Sequence, residues 1–230
     1  TGVQTCALPI CKVATYGYKN IQYESLDTVY LLGPSHHVRF DGASIFEGSG
    51  YETPLGTVSI DEALVSQLKQ SQAPITYYPQ AHQQEHSLEV HLPFIQLFSK
   101  KEIKIVPILF GSHNITEIHA VADSIVSVAD KSKSLVVASS DFSHFYTYDE
   151  AYKKDSRAIE LLLKNDKETL MDESFNRDIE MCGFSAIVAL MRIMDQWNVK
   201  KIEKLDYKNS GDVTGDHSRV VGYSSIIYYD

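Results

Sequence analysis

Short apolar runs recur along the chain, and each of them stops at a glycine, a proline or a group of polar residues. The clearest are residues 28–32 (TVYLL), 103–110 (IKIVPILF) and 135–138 (LVVA). Runs of this length, rich in Val, Ile and Leu and closed by turn residues, predict buried β-strands. A tyrosine-rich run at residues 220–229 predicts a further strand at the end of the chain.

Between these runs, apolar residues recur every three or four positions, which predicts helices. Residues 61–70 begin with two acidic residues and place Ala63, Leu64 and Leu68 on one face. Asn114 is suited to cap the helix that follows it. Strands that alternate with helices predict an α/β fold with a central, mostly parallel sheet flanked by helices. The predicted helices cover residues 13–21, 61–70, 87–98, 114–129, 152–164 and 184–197.

Composition and charge narrow the class of protein. The 230 residues are 43% hydrophobic and 22% charged, which is typical of a single folded domain. The formal net charge is −9 and no basic cluster is longer than two residues, so we expect no nucleic-acid partner. No run approaches the roughly 20 apolar residues that cross a bilayer, and the N-terminus lacks the pattern of a secretory signal. We therefore expect a cytoplasmic protein without a membrane segment.

The first eleven residues (TGVQTCALPIC) show neither the helical nor the strand period, and they run directly into the patterned segment that begins at Lys12. Residues 1–10 resemble the in-frame translation of a sequencing-library adapter. We interpret residues 1–11 as adapter-derived and residues 12–230 as the domain; an unstructured native tail is the alternative. On this interpretation Cys182 is the only native cysteine, which argues against disulfides and favours a reducing compartment.

Polar segments with histidines follow two of the predicted strands. The ligand crevice of an open α/β sheet lies at the carboxyl ends of its strands, so these side chains are expected to converge. The alternative for a lone histidine at the end of a strand is a hydrogen-bonded position on the surface. The two segments are Gly33-Pro34-Ser35-His36-His37 and Ser140-Asp141-Phe142-Ser143-His144.

A third polar cluster carries three histidines and two glutamates between residues 82 and 91 (HQQEHSLEVH). Its first part has the H-x-x-E-H spacing of zinc proteases, in which one helix presents two histidines to Zn²⁺ and a glutamate acts as base. That function requires the whole motif to be helical, and Ser87 has the character of a helix opener. A solvated start of a helix is the other interpretation.

Cys182 precedes Gly183 and the predicted helix at residues 184–197. A cysteine at a helix N-terminus is favoured as thiolate, and a thiolate is a good ligand for a soft or borderline metal. The alternative is a small, buried hydrophobic side chain.

Six motifs along the chain resemble, in sequence and in order, the motifs of the MEMO family. The bacterial and archaeal members of that family are often called AmmeMemoRadiSam system protein B. The resemblance runs from about Lys12 to the C-terminus. It implies a fold similar to that of the LigB-type class III extradiol dioxygenases, which hold non-haem iron by two histidines and a carboxylate. The motifs are GPSHH at 33–37, YETPLG at 51–56, EHSLEVHLPF at 85–94, SSDFSH at 139–144, CG at 182–183 and SGDVTGDHSRVVGY at 210–223.

For the site, the resemblance implies a mononuclear metal centre of two histidines and one cysteine, with His36 and Cys182 as ligands. It also implies that His144 matches the acid/base histidine of the dioxygenases and that Asp141 lies beside it. The other histidine ligand belongs to a P-H-A-G-Y motif that would fall upstream of Lys12, and residues 1–11 contain no histidine. We therefore expect the chain to lack that ligand and the first strand of the sheet. Further pocket residues implied by the resemblance are His37, Glu85, His86 and Ser143.

The resemblance implies a redox-active iron or copper ion and no organic cofactor, with His144 moving a proton and Asp141 orienting it. A cysteine in place of the carboxylate makes the site softer, so ring cleavage cannot be carried over from the fold. A non-catalytic module that binds a peptide or a partner domain in the same pocket is the alternative. The family name also implies an AMMECR-type domain protein and a radical SAM enzyme as partners.

Overall fold

The structure, a computed structural model, describes residues 8–230, with side chains from residue 11 onward. It divides into two compact units. The larger unit comprises Gln22–Ser140 and Gly183–Asn198, and the smaller unit comprises residues 8–21, Asp141–Cys182 and Val199–Asp230. Residues 1–7 lie outside the described part, so their assignment as adapter-derived stays a prediction.

The regular elements of the described residues are numbered here in chain order. The strands are β1 (Thr28–Pro34), β2 (Ala43–Ile45), β3 (Gly50–Thr53), β4 (Gly56–Ser59), β5 (Ile75–Thr76), β6 (Lys104–Phe110), β7 (Ser134–Ala138), β8 (His144–Tyr146), β9 (Lys201–Asn209) and β10 (Val220–Tyr229). The helices are α1 (Leu8–Tyr18), α2 (Glu62–Lys69), α3 (Pro79–Gln83), α4 (Leu92–Phe98), α5 (Ile115–Val128), α6 (Tyr148–Leu163), α7 (Lys167–Phe175), α8 (Phe184–Gln196) and α9 (Gly211–Thr214).

The larger unit is built on a five-stranded sheet in the order β5-β2-β6-β1-β7. Strand β1 pairs parallel with β6 and β7, whereas β2 pairs antiparallel with β6. All seven residues of β1 are buried, which is why its sequence is apolar without alternation. The prediction of a mostly parallel sheet flanked by helices is confirmed. Because Pro34 pairs with Phe110, β1 and β6 end at the same level of the sheet.

Two helix starts follow from capping residues. The Asn114 side chain accepts hydrogen bonds from the backbone N–H groups of Thr116 and Glu117, which confirms its predicted role at the start of α5. Asp61 caps α2 in the same way, through the N–H of Leu64. The predicted apolar face of α2 is wrong in part, because Ala63 is exposed and the buried residues are Val65 and Leu68.

The helix predicted at residues 87–98 is wrong in its first half, since α4 begins only at Leu92. The preceding segment is held by long-range bonds instead. The Ser87 hydroxyl donates to the Pro34 carbonyl at 2.9 Å, and the Ser87 N–H donates to Glu85 at 2.9 Å. Pro93 falls in the first turn of α4, where its missing N–H leaves no helical bond unmade.

The smaller unit contains a three-stranded antiparallel sheet in the order β8-β10-β9. Strand β10 coincides with the run predicted at residues 220–229, whereas β9 and α7 were not predicted. Helix α1 packs on β9 and β10. It begins at Leu8, so the prediction that no regular pattern precedes Lys12 is wrong for its last four residues. Within residues 8–230, no helix combines the length and the apolar character needed to cross a membrane.

Candidate functional site

In the larger unit, His36 lies two residues beyond the end of β1 and is held by Glu85. The Glu85 carboxylate accepts the His36 backbone N–H at 2.6 Å, and its other oxygen lies 2.9 Å from the His36 ring nitrogen Nδ1. The His36 side chain is 46% exposed and that of Glu85 only 3%. With Nδ1–H directed at a carboxylate, the neutral ring carries its lone pair on Nε2, the arrangement found in metal-ligating histidines.

The Glu85 carboxylate is buried and accepts several hydrogen bonds. Besides His36, it accepts the backbone N–H groups of His86 at 3.0 Å and Ser87 at 2.9 Å. Burial alone would raise the pKa of the carboxyl group, but the hydrogen bonds from His36 and Ser87 outweigh it and lower the pKa of Glu85 to about 2. Glu85 therefore stays ionised, and its charge fixes the orientation of the His36 ring.

The zinc-protease interpretation of residues 82–86 is wrong. Helix α3 ends at Gln83, so Glu85 and His86 lie outside it. Nε2 of His82 lies 2.9 Å from the Ser44 hydroxyl, among the rings of Phe46 and Tyr77. His86 is 74% exposed and directs Nδ1 at Glu89, 2.6 Å away. Because His82 faces Ser44 and His86 faces Glu89, these two histidines do not form the helical zinc-binding pair that the motif requires.

His82 gives a prediction about pH. Burial lowers its pKa to about 4, so the ring is neutral in the folded protein at pH 7. In the unfolded chain it is protonated below about pH 6.5, so its contribution to stability is complete above that pH and is lost as the pH falls towards 4. The wild type should lose about 2 kcal/mol more than His82→Phe between pH 7.5 and pH 5. Urea unfolding at the two pH values measures this, and equal losses in both proteins would contradict it.

Another histidine of the larger unit, His113, was not among the predicted site residues. It follows β6 as His36 follows β1, a signal that was present in the sequence. Its Nδ1 lies 2.8 Å from the Ser185 hydroxyl, which itself donates to the Ser112 carbonyl at 2.8 Å. Nδ1–H is therefore the donor to Ser185. Burial, and the charge of Arg39, lower the pKa of His113. His113 and His37 are both exposed.

In the smaller unit, Cys182 and Asp141 are joined by two hydrogen bonds. The Cys182 N–H donates to the Asp141 carbonyl, and the Asp141 N–H donates to the sulfur, each at 3.1 Å. The Asp141 carboxylate lies 3.5 Å from Nε2 of His144, and both side chains are about one-third exposed (33% and 31%). Within this unit the Asp141 backbone thus contacts the Cys182 sulfur, and the Asp141 carboxylate faces the His144 imidazole.

The backbone between Asp141 and His144 rests on a buried carboxylate. Asp155 of α6 is fully buried and accepts the N–H of Ser143 at 3.0 Å and the hydroxyl of Tyr207 at 2.8 Å. Burial raises the pKa of Asp155, although these two donors act in the opposite direction. Sequence reasoning missed Asp155, because an aspartate in an amphipathic helix is usually placed on the solvent side.

The donor chemistry of His36 and Cys182 suits a metal ion, with imidazole nitrogen on one residue and sulfur on the other. Among the residues that the structure describes, however, no group of three or more His, Cys, Asp or Glu side chains could hold a metal ion. The roles of His36 and Cys182 as metal ligands stay predictions from the motifs.

Comparison with known proteins identifies the family. The model of the Memo-like protein family matches residues 8–227. MEMO1 family protein TV1383 of Thermoplasma volcanium is 33% identical over 216 residues, which cover 94% of this chain and 79% of that protein. MEMO1 family protein MJ0403 of Methanocaldococcus jannaschii is 36% identical over 205 residues, covering 87% of this chain and 71% of that protein.

A solved structure supports the fold alone. The crystal structure of the uncharacterized protein JW3007 from Escherichia coli K12 matches with a TM-score of 0.51 and 13% sequence identity, over 90% of this chain and 91% of that one. The match of the family model over nearly the whole chain, together with relatives at least 33% identical, settles the assignment. The chain belongs to the Memo-like protein family.

Proposed function

We propose that this protein binds one redox-active metal ion, iron or copper, with His36 and Cys182 as two of its ligands. The observation that carries the proposal is the pairing of His36 with the buried Glu85 carboxylate, 2.9 Å from Nδ1. A buried, ionised carboxylate directed at one ring nitrogen fixes the tautomer and makes the other nitrogen a better donor. The assignment of Cys182 to the same ion rests on the order and identity of the motifs.

A bound iron or copper ion would supply a centre that changes oxidation state and polarises a small ligand. The side chains and backbone of the protein have other roles. Glu85 orients His36, and the Asp141 N–H donates a hydrogen bond to the Cys182 sulfur. His144 takes up or releases a proton at Nδ1, since Asp141 faces Nε2. The function proposed from these roles is that of a metal-dependent oxidoreductase.

Metal titration tests the proposal in the chain as it exists. Fe(II) or Cu(I) is added to the oxygen-free protein, and the dissociation constant is measured. His36→Ala and Cys182→Ser should each weaken binding by about tenfold or more, as expected when one of two protein ligands is removed. His119→Ala and Cys11→Ser are the matched controls, and they should bind as the wild type does. Equal affinity in all five proteins would reject the assigned ligands.

The number of ligands sets the expected strength of binding. Two protein ligands rarely hold a labile divalent ion, so the 230-residue chain should lose most of its metal during purification. Elemental analysis of the purified protein measures this, and a full equivalent of metal would contradict the two-ligand account.

The AMMECR-type domain protein and the radical SAM enzyme are proposed as partners on the family resemblance. Genes for them next to this one would support a modification pathway.

A further inference from the structure

A groove lies in the larger unit between helix α2 and the loop that follows β2. Its volume is about 640 Å³, within the range of about 300 to 1,000 Å³ that is usual for small-molecule sites. The floor of the groove is apolar, since it is formed by Ile60 and Val65, which are 4% and 5% exposed. The residues that bring charges and hydroxyl groups to its walls are Glu47, Ser49, Glu62, Ser66 and Lys69.

The groove is remote from the proposed metal ligand His36. Ile60 forms a parallel bridge with Ile105 of β6, and Ile105 pairs with Val29 near the start of β1. His36 follows the other end of β1, which is at Pro34. The strand from Val29 to Pro34 spans roughly 17 Å at about 3.3 Å per residue. The groove is therefore a separate site near the opposite end of the sheet.

Two contacts between the loop and the helix segment hold the walls of the groove in place. The Ile60 N–H, just before α2, donates to the Ser49 carbonyl at 3.0 Å. At the other end of α2, the Lys69 ammonium group pairs with the Glu47 carboxylate. The side chain of Asp61 caps the first turn of the helix between them. The fold itself thus forms the groove, as is usual for small-molecule sites.

The chemistry of the walls favours a cationic ligand. Among the described residues of the lining, Lys69 is the basic one, and Glu47 balances its charge. Across residues 11–230, the Glu62 carboxylate has neither an ion-pair partner nor a hydrogen-bond partner. Ser66, one turn further along α2, adds a hydroxyl acceptor on the same helix face. A primary ammonium group, with three N–H donors, complements a carboxylate and a hydroxyl in this arrangement.

We propose that this groove binds a small primary amine, with the ammonium group on Glu62 and the apolar body of the ligand against Ile60 and Val65. An exposed carboxylate on its own attracts any cation weakly. The apolar floor beneath Glu62 selects amines that carry a hydrocarbon chain, because the chain leaves water when it contacts the floor. The formal net charge of −9 also favours a cation over an anion. Binding in the groove involves neither of the proposed metal ligands.

Calorimetric titration of the metal-free protein with pentylamine tests the site directly. Pentylamine should bind about tenfold more tightly than 1-pentanol, which lacks the charge, or methylamine, which lacks the chain. Glu62→Gln should bind pentylamine only as weakly as the wild type binds 1-pentanol. Glu52→Gln is the matched control, since Glu52 is an exposed glutamate of β3 that does not line the groove. It should bind pentylamine as the wild type does.

A second pair of variants separates binding from folding. Ser66 is exposed, so Ser66→Trp should place a ring in the groove and unfold at the temperature of the wild type, while its pentylamine affinity falls by about tenfold or more. Gln67→Trp is the matched control, because Gln67 is also exposed but does not line the groove. Equal affinity of the wild type for pentylamine and 1-pentanol would overturn the proposal. Unchanged pentylamine affinity in Glu62→Gln or in Ser66→Trp would do the same.

Discussion

Glu85→Gln is expected to lose about 2 kcal/mol of unfolding free energy and to bind iron or copper about 10 to 100 times more weakly. The Glu85 carboxylate accepts four N–H groups, two from His36 and one each from His86 and Ser87. An amide has only one acceptor oxygen, so whichever way it is turned its NH₂ group faces a donor. The bond that orients His36, or the one that fixes its backbone, is lost.

The matched control for this prediction is Glu89→Gln. Glu89 is half-exposed and pairs with the exposed ring of His86, so its loss should change stability by less than about 0.5 kcal/mol. Urea unfolding and metal titration of both variants give the comparison. If Glu85→Gln unfolds early but keeps the metal affinity of the wild type, the orienting role of Glu85 is wrong although the account of the fold stands.

Gly222→Ala is expected to be the most destabilising single-methyl change in the smaller unit, at about 3 kcal/mol. A Cβ atom at Gly222 would lie 1.8 Å from the Asp155 carboxylate oxygen Oδ2 and 3.3 Å from the Phe142 Cβ. The carboxylate can move only by breaking its bonds to Ser143 and Tyr207. The Ser143 N–H and the Tyr207 hydroxyl would then lack an acceptor in a buried position.

A control and a second background make this prediction specific. At Gly215 an added Cβ meets nothing within 4 Å, and φ is +73°, so Gly215→Ala should lose only the roughly 1 to 2 kcal/mol of left-handed strain. In an Asp155→Ala background, Gly222→Ala should lose much less than in the wild type, because the clashing carboxylate is gone. Equal losses in the two backgrounds, measured by urea unfolding, would rule out the clash.

The parts of the fold that sequence predicted well are those decided by local pattern. The run at residues 220–229 predicted the bounds of β10 correctly, because seven of its ten residues are Val, Ile or Tyr and a polar turn precedes it. Asn114 gave the start of α5 because N-capping depends only on neighbouring residues. Strand β9 was missed because it is an edge strand rich in lysine, a composition that protects sheet edges but resembles a polar loop.

The candidate site was predictable as a set of residues but not as a set of contacts. The motifs pointed to His36 and Glu85, yet nothing local shows that Glu85 accepts from a ring 49 positions away. Residues 87–91 have helical spacing, but tertiary bonds to Glu85 and Pro34 decide their conformation. Asp155 is an extreme case, since the same sequence pattern usually places such a side chain in water, and here it lies at 0% exposure.

The most direct test of the central claim is X-ray absorption spectroscopy of the metal bound to this protein, compared with the variants Cys182→Ser and His36→Ala. The account predicts one sulfur neighbour at about 2.3 Å and imidazole nitrogen at about 2.0 Å, with the sulfur shell absent in Cys182→Ser and imidazole scattering reduced in His36→Ala. A sulfur shell that survives Cys182→Ser, or three identical spectra, would contradict it.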